Sequence, residues 1–302
     1  MNQLPFSGPG RFYRGNIHTH CDISDGQVPL EDAIAAYRRN GYDFVAMTDH
    51  FLHAFDFPVT DTRHFRTRDF TTLLGAELHA PSLENGEPWH ILAVGLPLDF
   101  APATEDEDGP TLASRAYEAG AFVGIAHPAW YGMTRADVDS LTAAHAVEIF
   151  NQGCAADSDR GESWHLADLM LTSGRRLTAF GADDAHFRES HPDVFGAWTM
   201  VRAEDLDPDA LLSSLKAGRY YSTQGPLIHD IAFNGDCSEI EIRTSPVTSM
   251  MLIGPKSRYL AKHGAGLTCH RFPLENFPDG YIRVTAIDAR GKRAWSNPIW
   301  LD

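Results

Sequence analysis

The chain has 302 residues, enough for one large domain or for a large one and a small one. Its 41 Asp and Glu against 25 Lys and Arg leave a formal net charge of −16, which argues against a protein that grips phosphate backbones through clustered cations. No run approaches the roughly 18 apolar residues of a membrane span, and Cys21, Cys154, Cys237 and Cys269 show no CxxC spacing that would imply a disulfide framework.

Residues 1–10 carry neither a basic start nor an apolar stretch, so no secretion signal is expected and the cytoplasm is the expected location. The first apolar run, 15–20, ends in His18-Thr-His20. Strand side chains alternate, so both imidazoles share a side and can chelate one ion. Asp25 follows on the loop beyond it. A helix is expected over 29–41, with Pro near its start, apolar residues at helical spacing and Asn-Gly at its close. The runs 43–50, 73–77 and 90–95 come next, with His50 and Glu77 at run ends and His90 opening its run. The acidic run 105–108 reads as a solvated loop.

Helical patterns then cover 111–120, 134–144, 164–174 and 208–218. They alternate with apolar runs at 122–127, ending in His127, at 147–151, and at 177–186, which closes on Asp183, Asp184 and His186. Strand-then-helix repetition predicts a parallel sheet, open or closed. No Gly-rich phosphate turn follows the first strand, and ligands recur at nearly every strand end, so a closed barrel fits better. From about 221 the helical period disappears. Runs at 227–233, 239–244, 250–253 and 281–287, with Asn-Gly, Asp-Gly and Arg-Gly turns between them, predict a small antiparallel β module of sandwich type over 221–302.

Any one of these histidines has an ordinary structural explanation; their joint placement at strand ends points to a multinuclear metal site. His-x-His with a downstream Ser-Asp-Gly, Thr-Asp-His, a strand-ending Glu, a further His, Ala-His-Pro and a closing Asp-x-His together resemble the PHP (polymerase and histidinol phosphatase) superfamily over roughly 15–190. Gly218-Arg-Tyr-Tyr-Ser-Thr-Gln-Gly-Pro226 further resembles its carbaryl hydrolase-like branch. The resemblance implies an α/β fold, a distorted seven-stranded (β/α) barrel over 1–220 followed by the β module, and two or three divalent ions of Zn, Mn or Fe. It assigns His18, His20, Glu77 and Asp184 to a first ion. Glu77 then bridges to a second ion with His90 and His127, and Asp25, His50 and His186 hold a third. Asp25 stands where some members have His, and Cys21 where Ser is common. Asp183 is an alternative to Asp184, whose spacing to His186 is the better one. His79, two residues beyond Glu77, is a candidate to support the ligands from behind.

The chemistry implied is attack on an ester by a hydroxide bridging two cations, with Asp184 or His186 passing the proton to the leaving group. Phosphoester hydrolysis of a small molecule is the first reading, and Arg160 the arginine expected to grip the phosphate. Arg63, Arg66, Arg68 and Arg188 are further candidates. Carboxylic ester, carbamate or amide hydrolysis is the alternative, with Phe51, Phe55, Phe57, Trp130 and Tyr131 as possible pocket walls. Neither nucleic acid nor membrane is an expected partner, and a non-catalytic metal-binding module is disfavoured because every motif position keeps a competent ligand.

Overall fold

The computed structural model describes residues 5–104 and 106–301; Met1–Leu4, Glu105 and Asp302 lie outside the described residues, and with them part of the expected N-terminal segment and of the acidic run. The first strand, β1 (Arg11–Asn16), leads through an extended segment to helix α1 (Leu30–Arg39). That helix starts after Pro29, carries Glu31 and Asp32 in its first turn and Arg38 and Arg39 in its last, and buries Ala33, Ile34 and Tyr37. The charges complement the helix dipole and the apolar stripe supplies the packing.

Five strands follow: β2 (Phe44–Ala46), β3 (His50–Phe51), β4 (Thr71–Leu73), β5 (Gly75–Ala80) and β6 (Trp89–Val94). Then come α2 (Gly109–Glu118), β7 (Phe122–Ile125), α3 (Pro128–Tyr131), α4 (Arg135–Ser140), β8 (Ala146–Asn151), α5 (Gln152–Ser158), α6 (Trp164–Thr172) and β9 (Thr178–Ala182). Strands β2, β5 and β7 are buried along their whole length, as near-continuous apolar runs require.

The expected parallel pairing holds for β1–β2–β4, β3–β5 and β7–β8–β9. It fails at β6, which runs antiparallel to both β5 and β7. The cause is the short loop 81–88, which has no helix; a parallel return needs a crossover of a dozen residues or more. Beyond β1 the backbone stays extended and is laced to its neighbours. The His20 N–H donates to the Ala185 carbonyl, Asp184 N–H to His18, Thr48 N–H to Thr19, and Glu77 N–H to Thr48. These bonds bring the ends of the first, second, third and last runs side by side.

Alternate residues of β5 and β6 then face two cores. Leu92 and Val94 pack inward with Phe122, Phe180 and Tyr220. Ala76, Leu78, Ile91 and Ala93 pack outward against Leu112, Ala116 and Met170 of the helices.

After β10 (Trp198–Ala203) and α7 (Pro208–Lys216) the chain becomes all-β: β11 (Tyr220–Thr223), β12 (Ile228–Phe233), β13 (Glu239–Ile253), β14 (Tyr259–Pro273), β15 (Tyr281–Ile287), β16 (Arg293–Ser296) and β17 (Ile299–Trp300). The two runs expected at 239–244 and 250–253 are one strand, β13, with register shifts between Arg243 and Ser249. Strand β14 gave no sequence signal because it is an exposed edge that buries almost nothing and needs no alternating pattern. Strand β11 pairs with both β10 and β16, so one sheet runs from β1 into the last part of the chain. There Arg283 forms a bidentate ion pair with Asp168 of α6, to which Tyr281 also donates, and lies 3.8 Å over the Trp164 ring. Among the described residues no helix is long and apolar enough to cross a membrane.

Candidate metal centre

Glu77, fully buried on the inward face of β5, is the hub of the laced strand ends. Its carboxylate lies 2.7 Å from His50 Nδ1, 2.9 Å from His90 Nδ1, 3.0 Å from His127 Nε2, 3.4 Å from His18 Nε2, 3.7 Å from His20 Nε2 and 3.9 Å from His79 Nε2. Asp184 closes the opposite side, 2.9 Å from His20 and 3.2 Å from His18. Asp25, on its loop, lies 3.3 Å from both His50 Nε2 and His186 Nε2. In four sets one donor atom of each residue lies within 4.8 Å of every other: His20, Asp25, His50 and His186; His50, Glu77, His79 and His90; His18, His127 and Asp184; and His18, His20 and Glu77. The nine residues named from the motifs thus meet in one place, and His79 stands among them. His90 and His127 both lie against Glu77 Oε1, at 2.9 and 3.0 Å, and His79 adds a further imidazole on the Glu77–His90 side.

His90 opens its run yet reaches the site because β6 is antiparallel, which turns its beginning toward the end of β5. Between the two aspartates the geometry separates the roles. Asp184 faces the imidazoles. Asp183 turns away and accepts from the Tyr37 hydroxyl and the N–H groups of Phe195, Gly196 and Ala197. Two of the donors sit on unusual backbone: His127, with φ 23°, and Asp184, with φ 53°. Non-glycine residues adopt such angles at a cost of about 1–3 kcal/mol each, which marks functional positions more often than neutral ones. Gly153 admits this conformation, since a Cβ there would stand 2.8 Å from the Asp184 carbonyl.

Two supporting residues lay hidden in the run 147–151. Glu148 accepts from His18 Nδ1 at 3.1 Å, from the His127 backbone N–H and from the Asn151 amide, while Asn151 also donates to Asp184. A carboxylate and an amide in a buried strand need partners, and that burial was the available signal. By holding Nδ1–H of His18, Glu148 turns the Nε2 lone pair toward the cluster, as the carboxylates behind metal-bound imidazoles do.

Burial raises the cost of charge on Glu77, but His90, His50 and His18 outweigh it and hold the carboxyl well below the usual range. Burial likewise opposes ionisation of Asp184, and His18 with the His20 hydrogen bond overrides it. Around these anions the imidazoles diverge. Burial and the neighbouring His186 and His50 push His20 down to about 3, whereas Glu77 and Asp25 overcome burial and lift His50 to about 10. Two atoms at the centre, His18 Nε2 and Glu77 Oε2, are buried without a well-directed hydrogen bond, although Glu77 Oε2 lies 2.7 Å from His50 Nδ1 and His18 Nε2 lies 3.2 Å from Asp184. Such donors among ionised carboxylates suit divalent cations, so the residues present fit a metal.

A cavity of about 150 Å³ opens beside the donors, lined among others by Asp25, His50, His90, His127, Asp184 and His186. Trp130 and Arg188 belong to its wall. Arg160 does not; its guanidinium donates to the Trp130 carbonyl. Arg188 is paired with Asp157 at 2.7 Å. Tyr131 packs 4.7 Å from the His90 ring, Phe55 lies 6.4 Å from His50, and Phe51 is buried in the outer core. Arg63 binds Asp61, and Arg66 donates to the Thr72 carbonyl. Cys21 is buried, donates to Asp49, and is pushed far up in pKa by that burial, so it is a packing thiol with no reactive character.

No family model matches the sequence, and no curated protein does. Among solved structures, the chain is similar to a two-domain protein from Bacteroides vulgatus containing a predicted PHP-like metal-dependent phosphoesterase: 16% identity, 98% of each chain covered, TM-score 0.54. A second, from Bifidobacterium adolescentis and provisionally named a metal-dependent phosphoesterase, is 17% identical, with 68% of this chain and 96% of that one covered and a TM-score of 0.42. An amidohydrolase from Chromobacterium violaceum with bound sulfate and no metal is 16% identical over 57% of this chain and 87% of its own, with a TM-score of 0.43. The fold is therefore a mixed α/β one, similar over the whole chain to that of the two-domain Bacteroides vulgatus protein. None of these comparisons distinguishes a carbaryl hydrolase-like branch.

Proposed function

We propose that this chain is a metal-dependent hydrolase that acts as a phosphoesterase on a small molecule. In this reading residues 1–220 form a distorted seven-stranded βα barrel bearing the site, and 221–302 a β module that buttresses it without supplying a ligand. One observation carries the proposal: a fully buried carboxylate, Glu77, lies within 3.9 Å of six imidazoles. The likeness over 98% of both chains to a protein containing a predicted PHP-like metal-dependent phosphoesterase supports the same class.

The ligands would be His18, His20, Glu77 and Asp184 for a first ion, Glu77, His90 and His127 for a second, and Asp25, His50 and His186 for a third, with Zn, Mn or Fe as the metal. Ions so held supply Lewis acidity toward the ester and acidify water. The protein's own part is positional. Glu148 and Asn151 orient His18 and Asp184. Asp184 and His186 face the cavity, where they can hold and pass the proton that the leaving group needs. Arg188 can exchange Asp157 for a substrate phosphate, offering a bidentate fork, and Arg160 stands behind Trp130 as an outer cation. Trp130, 40% exposed on the cavity wall, favours a second reading, hydrolysis of an aryl ester, carbamate or amide.

The test pairs elemental analysis with a substrate panel. Protein grown and assayed with Mn, Fe and Zn should hold more than one ion per chain and hydrolyse aryl phosphates. Less than one ion per chain overturns the metal-centre reading. Turnover of aryl esters without any of phosphoesters replaces the phosphoesterase with the second reading.

A further inference from the structure

We propose that His79 is itself a metal donor, joining Glu77 and His90 around the second ion; the inference rests on the reading of the site as a metal centre. Glu77-Leu-His79 on β5 repeats the spacing of His18-Thr-His20, and alternation puts both side chains on the inward face. The β5–β6 register sets His79 directly opposite His90, with ring centroids 4.1 Å apart. Cross-strand neighbours at such a position present their side chains to the same volume. Here that volume also contains the Glu77 carboxylate.

One donor atom from each of His50, Glu77, His79 and His90 lies within 4.8 Å of every other. His79 Nε2 lies 2.9 Å from His50 Nδ1 and 3.9 Å from Glu77 Oε2, and His90 Nδ1 lies 2.9 Å from Glu77 Oε1. Donors bonded at ~2.0–2.1 Å and set at tetrahedral or right angles to one another stand ~2.9–3.4 Å apart, a range that the His79–His50 and His90–Glu77 separations meet and that the His79–Glu77 separation exceeds by a few tenths of an ångström to be closed on binding. His79 directs Nε2 into the cluster, at the His50 imidazole, with Glu77 Oε2 beyond it.

His50 makes the alternative role for His79 concrete. Its Nε2 faces Asp25 and its Nδ1 faces His79, so His79 could act solely by orienting His50 toward the third ion. Cadmium-113 NMR on the full chain separates the two roles, because the chemical shift reports the nitrogen donors of each bound ion. The spectra needed are those of wild type, His79→Ala, His79→Gln, His90→Ala and Asp25→Asn. We expect His79→Ala and His79→Gln to move the resonance that His90→Ala moves and to weaken cadmium binding there by roughly ten- to a hundredfold, leaving the Asp25-dependent resonance in place. That undisturbed resonance also shows that the variants fold. A change confined to the Asp25-dependent resonance, no change at all, or a wild-type spectrum restored by Gln would overturn the proposal. Failure of the wild type to bind cadmium, zinc or manganese would instead sink the metal-centre reading beneath it.

Discussion

Glu77 and Arg283 are both charged side chains buried on strands, one in the first part of the chain and one in the last, and their surroundings differ in kind. Arg283 meets a complete set of partners: Asp168 through two nitrogens, Thr285 through a third, and the Trp164 face below. Glu77 sits among six imidazoles, more than its two oxygens can bind, and neither its Oε2 nor the neighbouring His18 Nε2 has a well-directed hydrogen bond. A buried charge satisfied by protein groups is part of the architecture, whereas one left incomplete implies a partner from outside. The same contrast applies to the histidines. Those at the laced strand ends are mostly buried, while His229 and His263 of the C-terminal strands are exposed.

The contrast is most directly broken at its hub. Glu77→Ala should disturb more than one donor set, lowering metal affinity by at least roughly a hundredfold, since even residues behind the ligands cost ten- to a hundredfold. Elemental analysis of the variant at wild-type stoichiometry would remove Glu77 from the centre. Next in size is Arg283→Ala, which leaves Asp168 without its cation and should destabilise the fold by about 3 kcal/mol, read as a lower denaturation midpoint. Its metal content should not change; a loss of metal would show that the two regions are not separable as drawn.

The cavity cations sharpen the comparison at the substrate. Arg188→Ala should cost phosphoester turnover roughly ten- to a hundredfold in kcat/KM, the equivalent of about 1.5–3 kcal/mol for a charge-assisted contact. Arg160→Ala should cost less, because Arg160 does not line the cavity. A neutral aryl ester should notice neither change, and an equal loss on both substrates would refute the anchoring role.

A smaller effect concerns protons. In the metal-free protein Glu77 and Asp25 overcome burial and raise His50 from 6.5 to about 10. The folded value exceeds the unfolded one, so this charge stabilises the metal-free fold fully below pH 6.5 and ceases to do so as pH climbs through about 10. A ligating imidazole must be neutral, so metal loading near pH 8 should release protons. Calorimetric heats identical in buffers of different ionisation enthalpy would contradict this. The smallest expected effect is none: His229→Ala, His263→Ala and His270→Ala should each keep the full metal content.

Much of the candidate site was legible along the chain because metal chemistry restricts residue types severely and strand alternation restricts their spacing. His18-Thr-His20, Glu77 and Asp184-Ala-His186 needed only those two constraints. What escaped notice were groups whose role depends on a neighbour distant in sequence. Glu148 looks like part of an apolar run until His18 is set 3.1 Å from it, and Arg188, one of five candidate arginines in the sequence, is singled out only by its place on the cavity wall. The helices were recognisable from capping and period, while β14 was not, since an exposed edge strand imposes no pattern of burial.

Length, charge, apolar runs and the order of the motifs by themselves determined a mixed α/β chain with a polar centre at its strand ends and an all-β final segment. These are local properties, set by side-chain chemistry and by periods of 2 and 3.6 residues. Tertiary structure alone decided that β6 turns back and so delivers His90 to the centre, that Asp183 is tied to Tyr37, and that His79 comes to lie against His50 and His90. Loop length, strand direction and the left-handed backbone at Asp184 govern those outcomes. They are relations between segments far apart in the chain, which no local period encodes.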